Sequence, residues 1–393
     1  MSDSLEHALG QRLSAARETG RWRHPRVLDG PQRPEQVIDG RLVVAFCSND
    51  YLGLAADPAV ATAAREALDH YGVGAGAAHL INGHTRAHEE LEQALARFTG
   101  RERALVFSTG YMANLALVQA LVGRHDTVFE DRLNHASLID AVRLSGARSQ
   151  RYRHADPEHL RERLEKAPAT GQRMIVTDGV FSMDGDIAPL PELAALAREF
   201  DAWLMVDDAH GLSVLGDTGG GSCQYFGLGG DDVPVLMGTL GKGFGTAGAF
   251  VAGSERLIET LIQTARPYIY TTAMPAALAA GTLVSVQIVE SAHDRREHLQ
   301  HLLRRLGEGL DHLGLPHPPP VTPIQPVTLG TAERASTVAE RLLKAGFLVP
   351  AIRPPTVPEG ESRLRITLSA AHTEAQVDAL LQALEQALKD TPS

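Results

Sequence analysis

Six short, largely apolar runs constrain what this chain can fold into: Ala104–Phe107, Thr127–Glu130, Met174–Thr177, Trp203–Val206, Val233–Met237 and Ala249–Ala252. None alternates with polar residues, as expected of strands buried on both faces of a sheet. Helical stretches stand between them at Met112–Leu121, Leu138–Leu144 and Pro191–Phe200. Strands alternating with helices predict an α/β fold with a mostly parallel, doubly wound sheet. Such a sheet binds ligands outside the carboxyl ends of its strands, so the residues that follow each run matter most.

The flanking regions differ. Residues 1–45 read as an arm, with a helix at Ser4–Thr19 and then the mixed segment RWRHPRVLDGPQRPEQ. Ala59–His70 reads as a further helix. Beyond Val289 a charged helix, Glu290–Leu313, precedes Pro316-His-Pro-Pro-Pro320, a stiff connector. Strands at Ile324–Leu329, Phe347–Ala351 and Leu364–Leu368, with helices at Ala332–Ala345 and Thr373–Lys389, then make a small α+β unit. The expected divisions are an arm (1–45), a large domain (46–289) and a small C-terminal domain (290–393), a reasonable partition of 393 residues.

Charge and cysteine content remove several function classes. With 37 basic and 48 acidic residues the net charge is −11, the wrong sign for tracking nucleic-acid phosphates. Cys47 and Cys223 cannot staple a chain of this size and fit a reducing cytoplasm. The charged start lacks the apolar core of a signal peptide. The uncharged run Pro267–Val289 is long enough to span a bilayer, but Pro275 interrupts it and several polar residues dilute it. A buried helix starting near Pro275 accounts for it, and no membrane segment is expected.

Three strand ends carry chemistry. Trp203-Leu-Met-Val-Asp207-Asp208-Ala-His210-Gly211 ends a strand in two acids and a histidine. Asp and His three residues apart can share a metal ion, a buried carboxylate can hold a ring nitrogen protonated, or the group can simply cap the strand end. Gly238-Thr239-Leu-Gly241-Lys242-Gly243-Phe-Gly245 places one lysine among glycines. Close backbone approach to a ligand and apolar flanks would depress its pKa and make it a Schiff-base nucleophile, or the lysine is incidental to a glycine turn. The phosphate loop of nucleotide hydrolases is excluded, since Leu236 stands where its first glycine belongs and Gly243 follows the lysine. Ser108-Thr109-Gly110-Tyr111 opens a helix directly after a strand, which suits a phosphate cradle or an ordinary N-cap. Gly72-Val-Gly74-Ala-Gly76-Ala77 resembles a dinucleotide fingerprint, but a helix rather than a strand precedes it.

Taken together, an imine-forming lysine, a strand-end carboxylate, a nearby histidine and a phosphate cradle describe a pyridoxal 5'-phosphate site without a metal. His135, in Asn134-His-Ala-Ser137 after another strand, can lie over the cofactor ring, or serve as a core or capping histidine.

The segments AFCSNDYLGL (45–54), DRLNHASLIDA (131–141), VTDGVFSMDGDIAPL (176–190), MVDDAHGLSVLG (205–216) and GTLGKGFG (238–245) resemble the α-oxoamine synthases, in order and over nearly the whole chain. These are fold-type I pyridoxal-phosphate transferases that join an amino acid to an acyl thioester with loss of CO2. The resemblance implies a large cofactor domain, a small C-terminal domain, and a homodimer with shared active sites, to which Thr271 or Thr272 contributes across the interface. It implies that Lys242 carries the cofactor and moves the substrate proton, Asp207 pairs with the pyridine nitrogen, His210 bonds the ring hydroxyl and Ser182 contacts the ring. Gly110, Tyr111 and Thr239 would hold the phosphate. His135 would stack on the ring and reach the substrate carboxylate, and Arg353 would fork onto that carboxylate. Arg21, Asn49 and Thr356 would line the acyl pocket.

Within the family, Ala351-Ile-Arg-Pro-Pro-Thr-Val-Pro358 and Arg363-Leu-Arg-Ile-Thr-Leu resemble members that use L-alanine and a pimeloyl thioester, on CoA or an acyl carrier protein, for biotin synthesis. A glycine-using member is the alternative. Two departures stand out: Asp178 replaces a frequent glutamate, and the loop at Gly72–His79 is poorer in glycine than its relatives.

Overall fold

The computed structural model describes residues 2–18, 22–168 and 170–391. Helix α1 (Ser2–Glu18) is followed by strands β1 (Leu28–Asp29), β2 (Glu35–Ile38) and β3 (Arg41–Ala45). Helix α2 (Pro58–Tyr71) starts on the Asp57 carboxylate, which accepts from the Ala59 N–H, with Pro58 where no amide hydrogen is needed. A π-turn at His79–Gly83 leads to α3 (Arg86–Thr99), where the His88 ring bonds back to the amide of the Thr85 cap.

The strand–helix alternation then runs through β4 (Arg103–Phe107), α4 (Gly110–Leu121), β5 (Thr127–Asp131), α5 (Ala136–Ser145), β6 (Arg148–Tyr152) and α6 (Pro157–Lys166). It continues with β7 (Arg173–Asp178), α7 (Leu190–Glu199), β8 (Trp203–Asp207), α8 (Gly221–Tyr225), β9 (Val235–Thr239) and β10 (Ala249–Gly253). These strands form one sheet in the order β4-β10-β9-β8-β7-β5-β6. Strand β10 is antiparallel to both neighbours and the remaining pairings are parallel, so β4, β5, β7, β8 and β9 end at one edge.

Period-2 side-chain direction divides each strand between two cores. Leu105, Val128, Met174, Val176 and Met205 face Ala113, Leu117, Leu138 and Val142 of α4 and α5. Their strand neighbours face the other way: Phe129, Ile175, Leu204 and Val206 meet Leu160 and Leu193 of α6 and α7. Val106 and Phe250 meet Leu91 and Leu95 of α3. Each such fully buried aliphatic or aromatic side chain contributes about 1.5–3 kcal/mol.

The chain continues through α9 (Glu255–Thr264), α10 (Arg266–Ile269), α11 (Ala276–Ser291) and α12 (His293–His312). It ends with β11 (Ile324–Gly330), α13 (Ala332–Lys344), β12 (Phe347–Leu348), β13 (Ala351–Ile352), β14 (Ser362–Thr367) and α14 (Glu374–Lys389). Strands β11, β14 and β13 form an antiparallel sheet that buries Val327, Leu364 and Ile366 against leucines of α12 and α14. No helix among the described residues is long and apolar enough to cross a membrane; the uncharged run is divided between most of α10 and most of α11, with Pro275 as the N-cap of α11.

The elements differ from expectation in five places. The charged helix begins at His293 rather than Glu290, because α11 extends to Ser291 and the chain bends at Ala292. The run Phe347–Ala351 divides at Pro350: β12 pairs parallel with β3, while β13 joins β14. The strand expected at Val233–Met237 occupies Val235–Thr239, beyond Pro234. Helices α3, α6, α8 and α9 and edge strand β6 were not expected. The second half of the arm is a β2–β3 hairpin whose turn uses Asp39 (φ 50°) and Gly40 (φ 74°), and β12 ties it to the C-terminal region.

Candidate active site

The edge shared by the five strand ends holds a cavity of about 210 Å³ lined by Gly110, Tyr111, Asn114, His135, Ser137, Asp178, Ser182, Asp207, Ala209, His210, Met237, Thr239 and Lys242. Eight of the expected site residues meet here: Gly110, Tyr111, His135, Ser182, Asp207, His210, Thr239 and Lys242.

Lys242 sits on the turn that follows β9, closed by the Gly245 N–H donating to the Lys242 carbonyl at 2.7 Å. Two of the glycines, Gly243 and Gly245, permit close packing against protein. A Cβ on Gly243 would lie 1.7 Å from Ser213 Oγ, and one on Gly245 (φ +66°) would lie 2.4 Å from the Ala55 nitrogen. The turn is thereby pressed onto the Leu54–Ala55 segment, and Lys242 Nζ lies 2.7 Å from His210 Nε2.

On the other side of that ring, His210 Nδ1 lies 2.5 Å from Tyr51 Oη, and Tyr51 Oη lies 3.2 Å from Asn49 Oδ1. Burial, reinforced by the charges of Lys242, Arg365 and His135, pushes the His210 pKa well down and leaves its ring neutral. A neutral imidazole has one N–H, and a single pattern serves every group: Lys242 donates to Nε2, Nδ1–H donates to Tyr51, and Tyr51 donates to Asn49.

Asp207, at the last position of β8, is buried. Its Oδ2 accepts from Asn114 Nδ2 at 2.7 Å and its Oδ1 from the Ala209 N–H at 3.1 Å. Asn114, on α4, also donates to Ser137 Oγ at 2.8 Å, while its own Oδ1 is buried without a partner among the described residues. At the start of α4 the Thr109 hydroxyl takes the Met112 N–H, leaving those of Gly110 and Tyr111 without a partner among the described residues. Thr239 Oγ1 donates to the Gly248 carbonyl at 3.1 Å. The His135 N–H donates to Asp178 Oδ2 at 2.8 Å, and its Nδ1 lies 2.7 Å from Ser137 Oγ, so the residue is both an N-cap and a cavity wall.

Burial lowers the Lys242 pKa to about 8, although Asp207 and Asp178 pull it upward. A substantial share of the amine is therefore neutral near physiological pH. Burial raises the Asp178 pKa, and the Asp207 carboxylate beside it raises it further. Burial also lowers the His135 pKa, with Asp207 opposing.

The remaining candidates lie elsewhere. Asn49 reaches the site through Tyr51. Thr356 lines a neighbouring cavity of about 100 Å³ that shares Ser182 with the first. Arg353 does not line the Lys242 cavity and donates to Ser336 Oγ on α13 at 3.3 Å. Arg21 lies outside the described residues. Three further residues belong to the site. Tyr51 and Asn114 are hydrogen-bond partners with no separate sequence signal. Arg365 is buried and donates from Nε to the Ser182 carbonyl at 2.6 Å and from Nη2 to Asn49 Oδ1 at 3.4 Å. Its signal was available, since Arg363 and Arg365 share a face of β14.

Asp207 and His210 do not converge on a common ion, because the imidazole is engaged by Tyr51 and Lys242 and the carboxylate by Asn114 and Ala209. The fold does assemble one set of potential metal ligands that spacing did not show: ligand atoms of His84, Glu89 and Glu92 lie within 4.8 Å of one another.

The family model for class I and II aminotransferases matches residues 41–384. The chain is 63% identical over 377 residues to 8-amino-7-oxononanoate synthase of Thioalkalivibrio sulfidiphilus, covering 96% of both chains. It is 56% identical to the enzyme of that name from Cellvibrio japonicus, over 100% of this chain and 98% of the other. Among solved structures, serine palmitoyltransferase of Sphingomonas wittichii superposes with a TM-score of 0.92 at 35% identity, covering 99% of each chain. An 8-amino-7-oxononanoate synthase from Francisella tularensis gives 0.77 at 32% identity, over 88% of this chain and 98% of the other.

The chain thus belongs to the class I and II aminotransferase family and has the fold of the fold-type I pyridoxal-phosphate transferases. Within it, sequence identity places the chain in the 8-amino-7-oxononanoate synthase family, a group of pyridoxal-phosphate acyltransferases. The cavity fits that cofactor: a buried amine of depressed pKa suits its aldehyde, two free N–H groups at a helix start suit its phosphate, and a held carboxylate suits its ring nitrogen.

Proposed function

We propose that this chain condenses L-alanine with a pimeloyl thioester, releasing CO2 and the free thiol and forming 8-amino-7-oxononanoate for biotin synthesis. The observation that carries this reading is Lys242 and His210, the latter backed by Tyr51, meeting the Asp207–Asn114 pair in one cavity. Pyridoxal phosphate, when bound, supplies an aldehyde for the amino group and a cationic ring that withdraws electrons from the substrate α-carbon.

The protein's own groups do the rest. The neutral fraction of Lys242 is the base that removes the α-proton and later returns it. Asp207, oriented by Asn114 and the Ala209 N–H, keeps a proton on the ring nitrogen, and the Gly110 and Tyr111 N–H groups with Thr239 anchor the phosphate. Ser182 and His135 wall the ring, and His210 would turn from Lys242 to the ring hydroxyl. Arg365 is better placed than Arg353 to receive the amino-acid carboxylate: neither lines the cavity, but Arg365 bonds the carbonyl of Ser182, which does. Fixing that carboxylate aligns the breaking bond with the ring, which is catalysis by orientation.

A homodimer is part of the proposal. Val73, Ile81 and Tyr270 are 79%, 78% and 70% exposed, on segments that the Ala78–Thr272 bridge draws together beside Thr271. An acyl carrier has less support: of Arg143, Arg148, Arg151 and Arg153, whose positive charge could dock an acidic carrier, three are paired, Arg143 with Asp140, Arg151 with Glu130 and Arg153 with Asp156.

The test offers purified holoenzyme alanine or glycine with pimeloyl, acetyl, succinyl or long-chain acyl thioesters and follows thiol release. Borohydride reduction and peptide mapping locate the attached cofactor. Activity with alanine plus pimeloyl thioester and a label on Lys242 support the reading. Activity with glycine only, or conversion of the cofactor to its amine form by alanine without thiol release, overturns it.

A further inference from the structure

We propose that Arg132 binds the distal carboxylate of the acyl chain and so selects a dicarboxylic over a monocarboxylic thioester. The inference rests on the proposed use of a pimeloyl donor and assigns a residue to the far end of that substrate.

The neighbouring cavity of about 100 Å³ shares Ser182 with the Lys242 cavity, and Arg132 and Thr356 stand in its wall. Its other lining includes Leu133, Phe181, Met183 and Val357, apolar surface that suits a run of methylenes. A donor whose reacting carbonyl lies at Lys242 would extend its chain past Ser182 into this space.

The charges in this wall balance, with Arg132 and Arg363 against Asp184 and Glu361, but the direct pairing is uneven. Arg363 is compensated twice, by Asp184 at 2.6 Å and by Glu361 at 3.2 Å, so those two carboxylates are also spent. The Arg132 guanidinium has neither a carboxylate partner nor a side-chain hydrogen bond among the described residues. Its backbone, in contrast, is fixed. The Arg132 N–H donates to the Tyr152 carbonyl at 3.1 Å, and the Asp131 carboxylate accepts from the Leu133 N–H at 2.8 Å. An exposed guanidinium without a direct partner, on a pinned turn in the wall of a partly apolar slot, is suited to take a carboxylate through paired N–H donors. A monocarboxylic acyl chain would fill the same slot and leave this cation unpaired, which supplies discrimination.

The experiment compares pimeloyl and heptanoyl thioesters, which differ at the distal carboxylate, as donors to wild-type, Arg132→Ala and Arg132→Lys holoenzyme with alanine. The wild type should prefer the pimeloyl donor in kcat/KM by about 10–100-fold, the size of a charge-assisted pair. Arg132→Ala should lose that preference through a raised KM for the pimeloyl donor, with heptanoyl kinetics near wild type, and Arg132→Lys should recover part of it. Equal loss with both donors, or a preference that survives Arg132→Ala, overturns the assignment and leaves the proposed function standing. A wild type that releases no thiol from either donor with alanine overturns both.

Discussion

Lys242 Nζ lies 2.7 Å from His210 Nε2, and this contact pairs the amine with a buried imidazole that cannot readily become charged. The amine thus has an acceptor for one N–H and, among the described residues, no carboxylate in direct contact to lock it as an ammonium. Its pKa of about 8 follows from burial outweighing Asp207 and Asp178.

Capture of pyridoxal phosphate by cofactor-free protein should therefore follow the neutral fraction of Lys242. Folded, the group sits below its ordinary 10.5, so that fraction rises with pH and reaches about half near pH 8. Stopped-flow absorbance across pH 6–11 should show a rate rising to a plateau with a midpoint near 8. A midpoint near 10.5 would show that the amine is not desolvated.

Tyr51→Phe removes the acceptor for His210 Nδ1–H and the donor to Asn49. A buried N–H left without a partner costs about 1–3 kcal/mol. The denaturant midpoint should fall with unchanged slope. Wild-type stability in the variant would mean that the imidazole finds another acceptor and the hydrogen-bond run is not cooperative.

Arg365 and Arg353 make different predictions for the amino acid. If Arg365 receives the carboxylate, Arg365→Ala should raise the KM for alanine about 10–100-fold through loss of a charge-assisted pair. Arg353→Ala, which loses a bond to Ser336 on α13, should change it severalfold at most. Steady-state kinetics of the two variants at saturating thioester distinguish them, and the reverse ranking would return the role to Arg353.

Much of this site was legible because parallel strands end where ligands bind. Asp207, His210, Thr239, Lys242, Gly110 and His135 each follow an apolar run, and the sheet brings those ends to one edge. What local pattern could not show are partners that meet across long sequence separations. Tyr51 and His210 are 159 residues apart, and Asn114 and Asp207 are 93 apart. Arg353 and Arg365 both sit in motifs with basic character, and only the path of the chain between β13 and β14 decides which one bonds Ser182 at the cavity wall. The β2–β3 hairpin was within reach, since Asp39-Gly40 is a strong two-residue turn signal. Edge strand β6 was not, because Arg148-Ser-Gln-Arg-Tyr152 carries the charge that protects an edge rather than the apolar residues that mark a core strand.

His154 should make the stability of this fold depend on alkaline pH. Its Nδ1 lies 3.1 Å from Asp131 Oδ1, its Nε2 lies 2.8 Å from Asp186 Oδ2, and its ring meets the Phe181 ring edge-on at 4.3 Å. Burial alone would lower its pKa, but the two carboxylates outweigh burial and raise it to about 10. The folded state therefore holds a proton that the unfolded chain releases near 6.5. That stabilisation is fully present below about pH 6.5 and is lost as pH rises through about 10. Since the site is partly open to solvent, about 2–4 kcal/mol is a reasonable scale for the loss. Denaturant unfolding of wild type and His154→Gln at pH 6 and pH 10 measures it. Wild type should lose stability between the two pH values, and the variant should start lower and lose less. The same contact ties the turn after β5 to the segment that carries Ser182, whose carbonyl holds Arg365, so the variant should also raise the KM for alanine. Parallel pH profiles for the two proteins would show that His154 is not charged in the folded state.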